Sequence, residues 1–172
     1  MKIFEEKIIT SRRQRLEPEW KSLLSASDCV LVFSGEPITK PGGLDQQYPF
    51  IPHPSYFWLS GYRRYFGVVF YSIELGWKDF ILPVTKEESI WEGMQPFTFN
   101  GLDVKTLNDF LRQHQFKNII ALGQVTSNQV DQSLVTSSPL FFQLKEKFDQ
   151  CRRIKDSAEV ALIRNLAGMA NK

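Results

Sequence analysis

Cysteine is scarce. Cys29 and Cys151 are the only two in 172 residues, too few and too far apart for a disulfide framework or a zinc site. Histidine is as scarce, with His53 and His114 alone. Neither has a carboxylate at helical ligand spacing, and metal sites need several ligands converging on one point. His114, near a helix end, reads as a surface cap. His53, between Pro52 and Pro54, reads as a plain exposed loop or a rigid interface loop. No apolar run approaches the roughly 18 residues of a membrane span. Met1 to Lys7 lack the continuous apolar core of a signal peptide. There is no GxSxG, HExxH, Walker loop or GxGxxG. An excess of one charge is missing too: the formal net charge is +2, which argues against a nucleic-acid platform. The basic clusters Arg12-Arg13-Gln14-Arg15 and Arg152-Arg153 are short and read as solvated surface. The same holds for Glu5-Glu6 and Glu87-Glu88, whose members point apart on a helix. These absences leave no catalytic residue, no metal ligand set, no membrane and no nucleic-acid partner. A reducing, cytoplasmic setting fits best.

What is present is globular. Hydrophobic residues make up 42% and charged residues 23%, a composition that folds without staples at this length. Phe4, Ile8, Ile9, Leu16, Trp20, Leu23 and Leu24 recur at near-helical spacing, predicting one N-terminal helix or a pair broken near Pro18. Cys29 to Phe33 is a short apolar run of β-prone residues, expected as a buried central strand, with Cys29 acting as a small hydrophobe. A long proline-rich loop follows, held largely extended. Ser55 to Gly61 reads as a short aromatic turn or helix ended by glycine. Gly67–Ile73 and Trp77–Val84 read as a hairpin turning at Glu74-Leu75-Gly76. A short helix over 86–91, a helix over 104–115, a buried strand over 118–123 and a mostly helical stretch over 134–148, broken near Pro139, complete the order. This is an α/β domain with a mixed sheet flanked by helices.

Two features stand out from that background. Aromatic residues crowd positions 48 to 66: Tyr48, Phe50, Tyr56, Phe57, Trp58, Tyr62, Tyr65 and Phe66, with Trp91 following. Core packing is expected for Phe57 and Leu59, and an interface with another domain or subunit for part of the rest. The second feature is the closing segment. Asp156 or Ser157 caps a helix, with Glu159 completing a variant capping box. From there Val160, Ile163 and Ala167 form one apolar stripe, and Leu162, Leu166 and Met169 a second, so the helix is expected to be buried on more than one side. It either docks on this domain's own sheet or opens a second domain.

Three motifs carry a family resemblance. Tyr48-Pro49-Phe50 with Ser55-Tyr56-Phe57-Trp58-Leu59-Ser60-Gly61, then Ile90-Trp91-Glu92-Gly93, then Arg153-Ile154-Lys155-Asp156-x-x-Glu159 resemble, in this order, the N-terminal domain of the creatinase, prolidase and aminopeptidase P family. The bacterial Xaa-Pro aminopeptidase branch is nearest. Trp58, Ser60 and the Arg63-Arg64-Tyr65 run depart from its commoner pattern. The resemblance implies an N-terminal α/β domain over 1–152, and over 153–172 a linker and the first helix of a C-terminal metallopeptidase domain of pita-bread type. It implies two divalent metal ions, commonly manganese, held by that second domain, and short proline-containing peptides as substrates. The implied partners are this catalytic domain and further copies of the chain. Of the residues in this sequence only Trp91 takes a functional role by resemblance, at the substrate cleft or a subunit interface. The alternatives are a prolidase or creatinase-like parent, a non-catalytic interaction module, and a free-standing domain.

Overall fold

The structure, a computed structural model, describes residues 4–42, 46–91, 101–126 and 129–170. Among them six α-helices and five strands run in the order α1 (Glu6–Lys21), β1 (Asp28–Phe33), α2 (Pro54–Ser60), β2 (Val68–Ser72), β3 (Gly76–Ile81), α3 (Lys86–Trp91), β4 (Leu102–Asp103), α4 (Leu107–His114), β5 (Asn118–Gly123), α5 (Leu140–Arg153) and α6 (Ser157–Ala170). A 3-10 turn at Val104–Thr106 leads into α4.

The strands form one mixed sheet in the order β4-β3-β2-β1-β5. β1 is antiparallel to β2 and parallel to β5, β2 is antiparallel to β3, and β3 is parallel to β4. All six residues of β1 are buried, because the strand has neighbours on both edges and helices over both faces. The pleat sorts its side chains. Val30 and Val32 join Leu16, Trp20, Trp58, Tyr71, Leu144 and Phe148 on the face covered by α1, α2 and α5. Cys29, Leu31 and Phe33 join Phe70, Phe80, Leu107 and Leu111 under α4. The result is a helix–sheet–helix sandwich.

Trp20 anchors the first face. Its ring lies 5.8 Å from Tyr71, 5.5 Å from Trp77 and 5.6 Å from Phe148. Its indole N–H donates to the Leu144 carbonyl at 3.1 Å. Gly67 is required by this layer: a Cβ there would sit 2.1 Å from the Tyr56 hydroxyl oxygen.

Several expectations change in detail. α1 is one helix that carries Pro18 inside it rather than a broken pair. The lost donor falls opposite Gln14, which is exposed, so water can satisfy that carbonyl. The stretch 134–139 is not helical; the helix begins after Pro139 and runs through Arg153. β4, only two residues long, was not anticipated. In α2 the buried rings are Tyr56 and Trp58, whereas Phe57 is half-buried. No helix among the described residues is long and apolar enough to cross a membrane.

Candidate functional site

The most organised polar cluster lies where α1, α2 and α6 meet. Ile9, Arg12, Leu16 and Trp20 form the buried face of α1, so a guanidinium occupies a stripe otherwise made of hydrocarbon. Arg12 is 2% exposed. Its Nε donates to Asp156 Oδ2 at 2.6 Å, its Nη1 donates to the Trp58 carbonyl at 3.1 Å, and its Nη2 lies 4.0 Å from Glu159 Oε2. The guanidinium carbon also sits 4.2 Å from the Phe4 ring centroid. The neighbouring Arg13 donates to the Leu59 carbonyl at 3.1 Å and to Asp79 Oδ1 at 2.6 Å. The two arginines therefore satisfy carbonyls at the end of α2 that have no partner within the helix. Arg12 and Arg13 are not solvated surface. A buried cation survives only with this kind of partner set.

At the start of α6 the capping box is reciprocal. Glu159 N–H donates to Asp156 Oδ1 at 2.9 Å, and Asp156 N–H donates to Glu159 Oε2 at 3.1 Å. Burial works against ionisation of Asp156, but the Arg12 hydrogen bond and the Glu159 amide outweigh it and hold the carboxyl below its ordinary range. Arg12 thus ties the first turn of α6 to α1.

Beyond that turn the helix is bare. No residue of α6 is buried. Leu162, Ile163, Leu166 and Met169 are 41, 53, 56 and 73% exposed. The expected burial is not supplied by this sheet. A groove of about 200 Å³ runs between α6 and the body, lined by Phe4, Phe57, Trp58, Arg152, Leu162 and Ile163 among others.

Trp91 lies elsewhere, at the last position of α3, 88% exposed, beside Ile90 at 71%. Six residues do not hold a helix unaided. Thr85 Oγ1 accepts from Glu88 N–H at 3.1 Å at its start. Glu88 is then clamped by Arg64 through both carboxylate oxygens and by the Tyr65 hydroxyl at 2.9 Å. Arg64, 5% exposed, also donates to the carbonyls of Leu82 and Pro83, each at 2.9 Å. The Arg64 hydrogen bond, more than burial opposes it, keeps the Glu88 carboxyl below its ordinary range. Glu88 is therefore not part of a solvated face: it positions the helix that carries Trp91. Glu92 and Gly93 of the Ile-Trp-x-Gly motif lie outside the described residues.

Neither histidine assembles a centre. His53 caps α2, its Nδ1 accepting from Ser55 N–H at 3.3 Å, a role that neither loop reading anticipated. Burial, then the positive charge of Arg152, keeps its imidazole below the ordinary value. His114 is paired through Nδ1 with the Phe110 carbonyl at 2.8 Å near the end of α4. Burial pushes the Cys29 thiol up, the opposite of an activated nucleophile. Among the described residues no three His, Cys, Asp or Glu side chains gather as a set able to hold a metal ion. The two metal ions that the resemblance implies thus find no fitting ligand set in the described part of this chain.

Arg12 could have been found from sequence. It falls three residues after Ile9 and four before Leu16, on the apolar stripe itself. The Arg64–Glu88 clamp joins residues 24 apart and leaves no local signal.

No protein-family model matches the chain, and no curated protein matches it. Solved structures do. A chain assigned as an aminopeptidase P from Bacillus anthracis is similar with a TM-score of 0.53 at 14% identity, over 86% of this chain and 36% of that one. Aminopeptidase P from E. coli in its low-pH form gives 0.52 at 15%, over 68% and 29%. Proline aminopeptidase P II from Yersinia pestis gives 0.50 at 17%, over 67% and 29%. At such identities the likeness establishes the fold: a five-stranded mixed sheet with flanking helices of the type found in these chains. The present chain spans about a third of their length.

Proposed function

We propose that the chain is the non-catalytic N-terminal domain of an Xaa-Pro aminopeptidase, the enzyme class that removes an N-terminal residue preceding proline. The observation that carries this reading is the shared fold: it covers 86% of this chain yet only 36% of the Bacillus anthracis chain. The three sequence motifs and the uncovered apolar stripe of α6 support it. In this reading residues 1–152 form the domain, and 153–172 are the linker and first helix of the metallopeptidase domain, which is its principal partner.

The chemistry belongs to that second domain, where a pair of divalent metal ions, manganese by the resemblance, would supply a polarised carbonyl and an activated water. The residues described here do other work. Arg12 fixes the angle at which α6 leaves the body, and with it the placement of whatever α6 carries. The Arg64–Glu88 clamp holds α3 so that Trp91 projects from the surface. There its indole lines the substrate cleft or meets an adjacent copy in a homo-oligomer. Walls that narrow the cleft to short peptides suit a substrate whose proline ring and missing N–H defeat ordinary main-chain recognition. A cytoplasmic setting accords with two free cysteines.

The test is direct. The chain alone, supplied with manganese and an Xaa-Pro peptide, releases no N-terminal residue; metal-dependent release by this chain would sink the reading.

A further inference from the structure

α2 begins at Pro54, which has no N–H, so Ser55 N–H is the first donor the helix presents. His53 Nδ1 accepts it at 3.3 Å, from an extended backbone that Pro52 and Pro54 restrict on either side. The His53 main chain is engaged as well. Its N–H donates to the Ser34 carbonyl at 2.8 Å, and its carbonyl accepts from Phe57 N–H at 3.1 Å. Nδ1 can accept only in the neutral ring, with the proton on Nε2. Serine, threonine, aspartate or asparagine would cap this helix at any pH near neutrality. Histidine is the side chain whose ordinary charge change falls between pH 5 and 8.

Protonation sets three forces against this cap. Nδ1–H would face Ser55 N–H, donor against donor. A positive ring would stand at the positive end of the helix dipole. It would also enter a cationic neighbourhood. Arg152 and Lys145 of α5 disfavour a charge on the ring, and Asp149 of α5 offsets them only in part. Arg152 Nη1 donates to Ser55 Oγ at 3.3 Å, on the same first turn. The charges of α1 and β3 lie at the far end of α2: Arg12 and Arg13 hold the Trp58 and Leu59 carbonyls, and Arg13 pairs with Asp79. Lys155 and Glu159 line the groove that Pro54 also lines. The ring is half-buried, and burial opposes its charge most of all.

We propose that His53 is a pH-sensitive switch. Neutral, it closes the first turn of α2; protonated, it releases that turn. Pro54 and Phe57 line the groove beside α6, so the switch changes one wall of that groove. The root of α6 is untouched, because Arg12 grips the other end of α2. Folding favours the neutral ring. The cap therefore contributes in full above about pH 6.5 and is lost as pH falls from there through the lower folded value. None of this depends on the peptidase reading.

With two histidines in the chain, both rings can be followed by ¹H–¹³C correlation spectra as pH falls from about 8 to about 5. Amide protection factors are measured over the same range by hydrogen exchange. The His53 midpoint is expected below about 6.5. Protection of the Ser55 and Phe57 amides falls about fivefold, the worth of one N-cap, while β1 and α6 hold theirs. His53→Asn keeps an accepting cap that does not titrate, so protection stays high and flat. His53→Ala shows the low value at every pH. His114→Gln leaves the decline in place. The switch is refuted if the His53 midpoint lies at or above about 6.5, or if protection at Ser55 and Phe57 does not change with pH. It is also refuted if the decline survives His53→Asn or disappears in His114→Gln. The midpoint and the exchange profile come from the unaltered chain, so they decide the matter even if a variant fails to fold.

Discussion

α5 and α6 are consecutive helices of equal length, 14 residues each, and opposite fates. α5 carries six charged residues (Lys145, Glu146, Lys147, Asp149, Arg152 and Arg153), yet it buries Leu144 and Phe148 in the core. α6 carries only Glu159 and Arg164, and it buries nothing. The helix with more charge is the one inside. Burial follows position, not charge count: α5 follows β5 and lies across α1, whereas α6 starts after the extended turn at Ile154 and, among the described residues, is tied to the body at its root by Arg12. α6 is thus an apolar helix with a fixed root and an exposed shaft.

The contrast can be broken at four places. The largest effect belongs to the buried side. Trp20→Ala removes the ring that joins α1, the sheet and α5, and should cost about 3–5 kcal/mol in urea unfolding. A loss below about 1 kcal/mol would mean that this layer is not the core. Next comes the pin. Arg12→Met keeps the apolar stripe but leaves Asp156 Oδ2 and the Trp58 carbonyl without the Arg12 donor, at a cost of about 2–3 kcal/mol in stability. Its signature is local: amide exchange should accelerate throughout α6 while β1 keeps its protection. Unchanged exchange in α6 would show that the helix is held by something other than Arg12.

The pH dependence of the pin comes third. The folded Asp156 carboxyl titrates below its ordinary value, because the Arg12 hydrogen bond outweighs burial. A depressed carboxylate contributes stability in full above its unfolded value, and that contribution is lost as pH falls through the folded one. Protection of α6 should thus be flat from neutral pH to about pH 5 and decline below about pH 4. Asp156→Asn should remove that decline; if it persists unchanged in the variant, another carboxylate governs it. The smallest effect sharpens the other side of the comparison. Leu166→Lys, on the bare shaft of α6, should alter stability by no more than about 0.5 kcal/mol. A penalty of about 2 kcal/mol or more would mean that the shaft packs on the body after all.

Much of this architecture was legible, for local reasons. β1, the β2–β3 hairpin, α3, α4 and β5 announce themselves through apolar runs, glycine turns and helical spacing. The Asp156–Glu159 capping box was readable, with Ser157 as the alternative cap, because its chemistry spans three positions. What escaped was non-local or too brief. β4 is two residues long, below any period. The choice between Phe57 and Trp58 as the buried ring depends on the phase of a seven-residue helix. Glu88 read as surface because its partner Arg64 lies on another segment. Arg12 read as surface because charge was given more weight than its place on the stripe. At the candidate site, therefore, the cap was visible and the cation that locks it was not.

The Arg12–Asp156 contact joins residues 144 apart in sequence. During synthesis α1 precedes every strand of the sheet, and all of those strands are made before Asp156 appears. Closing so long a loop in an unfolded chain is entropically unfavourable, and a folded body between the two ends removes most of that penalty. The latch therefore shuts last, after the sheet has assembled, and α6 acquires a fixed direction only on a finished domain.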